Sequence, residues 1–237
     1  MKNSTKEIIN EINTYRDESK AAFLPRFFKT GKGEYGEGDQ FIGVVVPNLR
    51  IVAKKHFDAD FDTLRELLAS PYHEYRLTAL LALTYRYAKF KDLASREACV
   101  NFYVSQVDAI NNWDLVDLSC YKILGHWLFD KDKQLLYDWA KENHLWKQRI
   151  AMITCMHFVK QGEFKDALAI ADLLQHHPHD LIHKAVGWIL REIGKENEQL
   201  LVDYLTPRYK EMPRTMLRYA IERFEEGKRK AFLHSKV

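Results

Sequence analysis

The sequence has few of the residues that interrupt helices and no apolar run long enough to cross a membrane. Its 237 residues include six prolines, ten glycines and three cysteines. The longest apolar stretches, such as Phe41 to Val46, fall well short of the roughly 20 residues that a transmembrane helix needs. We therefore expect a soluble protein with no membrane partner.

The cysteines and the N-terminal segment indicate a cytoplasmic location. Cys99, Cys120 and Cys155 are far apart, odd in number and without a Cys-x-x-Cys pair, which is typical of a reduced cytosol. Glu7 and Glu11 stand where a secretory signal would have its unbroken apolar region. The sequence therefore predicts no secretory signal.

Apolar residues recur at helical spacing along nearly the whole chain, which predicts an all-α protein. The predicted order is N-terminal helices over 1–29, a glycine-rich loop over 30–40 and paired helices from about 46 to 237, all in a single domain over residues 1–237. Successive pairs begin near residues 47, 74, 113, 146, 180 and 213. The steps are about 33 residues with two irregular ones, which falls within the range of helical-repeat arrays. The sequence therefore predicts a helical repeat solenoid, an α-α superhelix, including single helices over Thr5–Ser19, Ala21–Lys29 and Trp113–Phe129.

Four predicted helices share a motif in which a basic residue precedes small and large apolar residues. The segments are HEYRLTALLAL, LWKQRIAMITC, LIHKAVGWIL and EMPRTMLRYAI. In a solenoid one register faces one way, usually the concave side, so the motif predicts a concave basic face. Its members are Arg76, Arg149, Lys184 and Arg214 or Arg218. A basic stripe favours a nucleic-acid or acidic partner, and the alternative is that each cation is a solvated charge in a first helical turn.

Positive charge is unevenly distributed along the chain. The formal net charge is +3 at pH 7, but the segment from Pro207 to Val237 has nine Lys or Arg against four Glu. This local excess of positive charge also favours a nucleic-acid or acidic partner. It lies on a segment that otherwise has the pattern of a helix.

The glycine-rich segment over 30–39 is predicted to be a connecting loop. Its residues 31–36, GKGEYG, formally match a phosphate-cradling motif. That motif needs a preceding strand and a helix that opens at the third glycine, and the sequence predicts neither. The carboxylates of the segment would also repel a phosphate.

A histidine cluster before residue 184 includes a spacing that occurs in metal sites. His179 and His183 are four residues apart, a spacing that can bind zinc. A metalloprotease helix has Glu after the first His as its general base, whereas this chain has Asp180. Asp180 suits the N-cap or first turn of a helix. We therefore predict no metal site and no cofactor.

The segment NWDLVDLS, residues 112–119, brings an aromatic ring and a carboxylate together. Trp113 and Asp117 are four residues apart and share a helical face. Asp114 lies toward the helix start, where a carboxylate satisfies free N–H groups. Taken alone, this pattern favours a helix cap and a core tryptophan over a functional site.

Four short motifs together resemble the AlkD family of DNA alkylation repair proteins. They are Gly43-Val-x-Val-Pro47, Trp113-Asp-x-Val-Asp117, Leu145-Trp-Lys-Gln-Arg149 and Lys184-Ala-Val-Gly-Trp188-Ile-Leu-Arg191-Glu192. Their order and spacing are similar to those of the family over about residues 20 to 225. The resemblance implies HEAT-like repeats and the removal of cationic alkylated purines, chiefly 3-methyladenine and 7-methylguanine, from duplex DNA.

The resemblance also implies roles for matching positions. Asp117 matches the catalytic aspartate, Trp113 and Trp188 match the tryptophans that face the lesion, and Arg149 matches the phosphate-binding arginine. Residues 21–29 would supply an N-terminal helix that contacts DNA. Because a cationic purine leaves as a neutral base, one carboxylate is enough and no acid partner is needed.

We therefore predict a DNA-alkylpurine glycosylase, an N-glycosyl hydrolase. It would act as a monomer on alkylated double-stranded DNA, in the cytoplasm and associated with the nucleoid when bound. Two alternatives stay open: a non-catalytic repeat protein that binds DNA structures, and a protein–protein scaffold in which Trp113 and Trp188 are core or interface aromatics.

Overall fold

The computed structural model describes residues 4–234, and most of this range is helical. The α-helices in chain order are α1 Thr5–Asn13, α2 Glu18–Phe23, α3 Val46–Lys55, α4 Phe61–Leu68, α5 His73–Lys89, α6 Leu93–Ser105, α7 Trp113–Asp117, α8 His126–Leu128, α9 Gln134–Lys141, α10 Leu145–Lys160, α11 Lys165–Leu174, α12 Asp180–Glu196, α13 Glu198–Leu205, α14 Arg214–Ala220 and α15 Glu226–Leu233. Shorter 3₁₀ turns lie at Leu24–Phe27 and Val107–Ala109, and a π-helical turn lies at Tyr121–Gly125.

The all-α prediction is confirmed. Over residues 4–234 no strand forms, and the only extended pairing there is an isolated bridge between Gln40 and Tyr72. None of the helices in this range has both the length and the apolar character needed to span a bilayer. Residues 1–3 of the predicted N-terminal helices and residues 235–237 of the basic C-terminal segment lie outside the described residues.

The chain divides into two compact units, Met1–Ser119 and Cys120–Val237. In the first unit α5 is central, because 13 of its 17 residues are buried and α3 and α4 both pack against it. In the second unit α10 has the same role, with 12 of 16 residues buried. Helices that are apolar on all sides are typical of a protein interior. The single domain over residues 1–237 stays a prediction.

The helices of the second unit form two rows. One row consists of α10, α12 and α14, which lie side by side, and the other contains α9 and α11, which contact each other. α11 packs on α10, and α13 packs on α12. This alternation between rows is the arrangement of a helical-repeat protein.

The predicted helix over Thr5–Ser19 is wrong, because two helices occupy this segment. α1 ends at Asn13 and α2 begins at Glu18. Between them Asp17 leaves the helical path, since its N–H donates to the carbonyl oxygen of Ile42 at 3.1 Å. The carboxylate of Asp17 then caps α2 by accepting the N–H of Lys20 at 3.1 Å.

The predicted helix over Ala21–Lys29 is shorter in the structure. α2 ends at Phe23, and the chain continues as a 3₁₀ turn in which Pro25 is the second residue. Proline lacks an N–H and cannot continue an α-helix from within. Lys29 then adopts a left-handed conformation with φ of 46°, which ends the segment.

The predicted helix over Trp113–Phe129 is also interrupted. α7 ends at Asp117, and the N–H of Ser119 donates to the carbonyl of Val116. The Ser119 hydroxyl donates to the carbonyl of Leu115 at 2.5 Å, so a side chain takes the acceptor that the next helical N–H would use. Serine hydroxyls compete with the helical backbone in this way.

Candidate functional site

Two side chains of α7 reach the surface, and they are the pair that the sequence put on one helical face. Trp113 and Asp117 are part exposed, whereas the three residues between them are buried. The helix begins where Asn112 accepts the N–H of Trp113 on its Oδ1 at 2.8 Å. α7 therefore offers an aromatic ring and a carboxylate one helical turn apart.

The ring of Trp113 is held by the segment that follows α2. It stacks on Phe28 with ring centroids 5.3 Å apart and planes inclined by 10°. Its indole N–H donates to the carbonyl oxygen of Phe27 at 3.3 Å. Because Phe28 covers one face of the indole, a ligand can stack only on the other face.

Next to this stack lies a buried group of four ionisable side chains, which we call the ionic cluster: Asp39, His73, Arg76 and Asp114. His73 Nε2 is 2.8 Å from Asp114 Oδ2, and Arg76 Nη2 is 2.6 Å from Asp39 Oδ1. His73 Nδ1 lies 3.5 Å from Asp39 Oδ2. All four side chains are at most 8% exposed. The cluster therefore joins the end of the glycine-rich loop, the first turn of α5 and the first turn of α7.

The ionic cluster keeps His73 protonated at neutral pH. Burial by itself lowers the pKa of His73, but the carboxylates of Asp114 and Asp39 outweigh burial and raise that pKa to about 9. Burial acts to raise the pKa of Asp39, and its bonds to His73 and the charge of Arg76 more than offset this, so the pKa is lowered. The ionic cluster therefore pairs two basic with two acidic side chains.

We expect the melting temperature of the protein to fall as the pH rises from 6.5 to about 9. A histidine in an unfolded chain loses its proton near pH 6.5, whereas His73 in the folded protein keeps it until about pH 9. Its contribution to stability is therefore complete below pH 6.5 and is lost as the pH rises through 9. Thermal unfolding of the wild type and of His73→Gln, followed by circular dichroism, measures this. Parallel pH dependences in the two proteins would contradict a protonated His73.

The backbone before α3 is anchored to α5 by one carboxylate. Glu74 Oε1 accepts the N–H groups of Ile42, Gly43 and Val44 at 3.0, 2.8 and 3.3 Å. Burial raises the pKa of Glu74, and the backbone bonds only partly offset this. Gly43 has φ of 81°, a left-handed conformation that favours glycine. The Gly-Val-x-Val-Pro motif therefore marks a backbone turn that leads into α3.

The glycine-rich loop uses its own carboxylates to hold its backbone. Glu34 Oε2 accepts the N–H of Gly31 at 2.9 Å, and Glu37 Oε2 accepts the N–H of Gly33 at 2.7 Å. Amides that a phosphate cradle would offer to an anion are therefore occupied from within the loop. Asp39, the last acidic residue of the loop, points into the ionic cluster.

In the second unit, Trp188 lies on α12 beside a very close helix contact. A Cβ on Gly187 would lie 2.5 Å from the carbonyl oxygen of Met216 on α14, so α12 and α14 approach at this glycine. Trp188 itself is part exposed, and its indole N–H donates to Glu192 Oε1 at 3.2 Å. The absence of a side chain on Gly187 thus allows α12 to pack closely on α14, and the next residue, Trp188, has an aromatic ring that is part exposed.

The repeated basic residues lie within the first five residues of their helices, but their exposure differs. Arg149, Lys184 and Arg218 are each the fifth residue of their helix, and Arg76 is the fourth. Arg76 and Arg149 are buried, Lys184 is half-buried, and Arg214 and Arg218 are exposed. The two buried arginines are therefore interior groups here, and the DNA contacts of all five residues stay predictions.

Arg149 makes its observed bond inside the second unit. Its Nη1 donates to the carbonyl oxygen of Leu181, in the first turn of α12, at 2.5 Å. The bond ties α10 to the start of α12, so Arg149 has a structural partner in this structure.

The histidines before α12 bind backbone groups. His179 is the N-cap of α12, and its Nδ1 accepts the N–H of Leu181 at 3.1 Å. His177 Nδ1 accepts the N–H of His179, and His183 Nε2 donates to the carbonyl of His177. Asp180 lies in the first turn of α12, as predicted. In the part of the chain that the structure describes, no group of three or more His, Cys, Asp or Glu residues is arranged to hold a metal ion.

Sequence reasoning missed the ionic cluster. It assigned Asp114 to the free N–H groups at the start of α7, and this was wrong: Asn112 is the cap, and Asp114 bonds to His73. The available signal was His73 and Arg76, two basic residues in a helix whose following residues are nearly all apolar. Buried cations need partners, but the sequence does not say which carboxylates supply them.

Comparison with known proteins agrees with the broad family that the sequence motifs indicate, that of DNA alkylation repair proteins. A family model described as DNA alkylation repair enzyme matches residues 8–224. A solved structure of a predicted DNA alkylation repair enzyme from Enterococcus faecalis is similar, with a TM-score of 0.68 and 15% sequence identity over 89% of this chain and 97% of that chain. At this identity the likeness shows a shared fold, consistent with a helical-repeat solenoid. No curated protein matches the sequence.

Proposed function

Since this chain belongs to the family of DNA alkylation repair enzymes, we propose that it is an alkylpurine DNA glycosylase. It hydrolyses the N-glycosidic bond of cationic purines, 3-methyladenine and 7-methylguanine, in duplex DNA. The observation that carries the proposal is the pair on α7: Trp113 and Asp117 are part exposed one turn apart, while the residues between them are buried.

The proposed chemistry needs one carboxylate. Alkylation at N3 or N7 puts a positive charge on the purine, so the electron pair of the breaking C1′–N bond leaves with a neutral base. The sugar becomes positive near the transition state, and the Asp117 carboxylate stabilises it. Asp117 then takes the proton of the water whose oxygen bonds to C1′. No acid is needed for the leaving group, in contrast to ordinary glycosidases.

In this proposal the tryptophans allow the protein to distinguish cationic alkylated purines from neutral purines. An indole face attracts a cation by about 0.5–2 kcal/mol, and a neutral purine lacks this attraction. Trp113 has one face on Phe28 and can offer the other, and Trp188 is part exposed on α12. We propose that Trp113 faces the lesion or its sugar, and the same role for Trp188 stays a prediction from the family resemblance.

The segment that supports Trp113 also suits contact with DNA. Residues 19–33 contain four Lys or Arg and no Asp or Glu. Phe23 and Phe27 are 50% and 54% exposed, and Arg26 lies over the ring of Phe23 at 5.5 Å. Exposed aromatic rings among cations are typical of nucleic-acid surfaces. We propose that this segment contacts DNA.

Replacement of Arg218 by Ala is expected to make DNA binding less dependent on salt. Each neutralised phosphate contributes about −0.9 to the slope of log K against log salt concentration, so loss of one contact lowers the steepness by about one. Arg218 is exposed on α14. The control is Lys91→Ala, because Lys91 is exposed but outside the predicted basic face. Fluorescence anisotropy over a salt series measures both slopes, and equal slopes would remove Arg218 from the DNA interface.

Single-turnover base release from methylated duplex DNA tests the proposed function. The purified protein is expected to release 7-methylguanine and 3-methyladenine, detected by chromatography, and to release no base from unmethylated duplex. Salt-sensitive binding to duplex DNA without any base release would instead identify a non-catalytic DNA-binding protein.

A further inference from the structure

His73 is linked to Trp113 through a continuous aromatic stack. The imidazole of His73 lies 4.6 Å from the ring of Phe28 and 5.0 Å from the ring of Phe41, measured between centroids. Phe28 in turn stacks on Trp113. Movement of the imidazole would therefore be transmitted to the indole through one intervening ring.

A second route joins His73 to the backbone of α7. His73 donates to Asp114, the second residue of α7, at 2.8 Å. Asp39, on the other side of the imidazole, accepts a bond from the side chain of Asn112 at 3.1 Å, and Asn112 is the N-cap of α7. The imidazole therefore lies between the two groups that fix where α7 begins and how it is rotated.

We propose that His73 is a positioning residue for base release. It fixes the indole of Trp113 and the first turn of α7, and it thereby sets the direction in which Asp117, one turn later, projects its carboxylate. The proposal rests on the proposed function, in which Asp117 is the catalytic group. His73 is 3% exposed, so it acts through Asp114 and Phe28 without touching DNA.

Charge makes His73 suited to this role. An apolar stack alone can slide, whereas a charge-assisted hydrogen bond is short and directional. The charged groups that face the imidazole are Asp39 from the loop, Asp114 from α7, and Arg76 and Glu74 from α5. Asp114 bonds to one ring nitrogen at 2.8 Å and Asp39 faces the other at 3.5 Å, so the imidazole has one preferred orientation. A misplacement of about 1 Å at a reacting group can cost a hundredfold in rate.

The test compares His73→Gln with His56→Gln. His56 is a matched control, because it is 1% exposed and its Nε2 bonds to the carboxylate of Glu11 at 2.7 Å. That pair joins α1 to the end of α3 and takes no part in the ionic cluster. The two substitutions therefore each remove one histidine–carboxylate bond of a buried histidine in the same unit.

Three quantities are measured for each variant: the single-turnover rate of 7-methylguanine release, the dissociation constant for duplex DNA, and the indole N–H signals in a ¹H–¹⁵N spectrum. The chain has five tryptophans, and loss of one signal in Trp113→Phe assigns Trp113. We expect His73→Gln to lower the rate by about ten- to a hundredfold, to leave the dissociation constant within a few-fold and to shift the Trp113 signal alone. His56→Gln is expected to leave all three unchanged.

Unchanged rate and unchanged Trp113 signal in His73→Gln would overturn the proposal, and so would equal rate losses in the two histidine variants. If His73→Gln does not fold, Phe28→Leu decides, because it removes the ring between His73 and Trp113 while keeping an apolar side chain. It is expected to shift the Trp113 signal and lower the rate, and no change in either would overturn the proposal. If the wild type releases no base, the proposed function fails, and the Trp113 signal alone decides whether His73 positions α7.

Discussion

Replacing Asp117 by Asn is expected to lower the rate of 7-methylguanine release by at least about a hundredfold and to leave the affinity for duplex DNA within a few-fold. Asn keeps the size of the side chain and much of its hydrogen bonding but removes the charge. The positive sugar that this charge stabilises exists only near the transition state, so the loss falls on the rate and not on ground-state binding. Single-turnover kinetics and fluorescence anisotropy on the same duplex give the two quantities.

Asp114→Asn is the matched comparison for stability. Both aspartates lie on α7, but Asp114 is buried and bonded to His73, whereas Asp117 is part exposed. Removing one partner of a buried ion pair costs about 3 kcal/mol or more in stability, and we expect Asp114→Asn to show this in urea unfolding. Asp117→Asn is expected to unfold at nearly the wild-type urea concentration. If Asp117→Asn loses activity because the variant is unfolded, as shown by its urea unfolding curve, then Asp117 has a structural role and not a catalytic one.

Replacing Gly43 by Ala is expected to destabilise the protein by at least about 3 kcal/mol. A Cβ at this position would lie 1.9 Å from the carbonyl oxygen of Asp17 and 2.7 Å from the backbone nitrogen of Ala21. Both are backbone atoms around the start of α2 and cannot rotate away. The turn also has φ of 81°, which adds the strain of a left-handed residue. Urea unfolding measures the change in the free energy of unfolding.

Gly38→Ala separates these two causes. Gly38 has φ of 86°, similar to that of Gly43, but a Cβ there would meet no atom within 4 Å. Its replacement is therefore expected to cost about 1–2 kcal/mol, from conformation alone. Equal losses in the free energy of unfolding for the two substitutions would mean that the close approach of Asp17 to Gly43 is not the reason why position 43 requires glycine.

Local patterns in the sequence predicted an all-α chain. One predicted helix pair begins near residue 180, and α12 begins at Asp180, because apolar residues recur along it at helical spacing. The breaks depend on residues that bind outside their own helix or compete with it. Asp17 bonds to Ile42, and the Ser119 hydroxyl takes a helical carbonyl, and neither bond is visible in the periodicity of the apolar residues.

The site could be predicted only where its residues are neighbours in sequence. Trp113 and Asp117 are one turn apart, so their shared face follows from helical geometry. The ionic cluster joins Asp39, His73 and Asp114, which are separated by 34 and 41 residues in sequence. No spacing rule connects such distant positions. Arg76 was for the same reason grouped with a surface stripe, whereas it is buried against Asp39.

In the proposed mechanism one carboxylate is enough because the substrate base carries its own positive charge. The single-turnover rate of base release tests this on two duplexes of identical sequence, one with 7-methylguanine and one with O6-methylguanine, which is alkylated but neutral. We expect release of 7-methylguanine and no measurable release of O6-methylguanine, under conditions in which both duplexes bind with similar affinity. Release of both bases at comparable rates, or of neither, would contradict it.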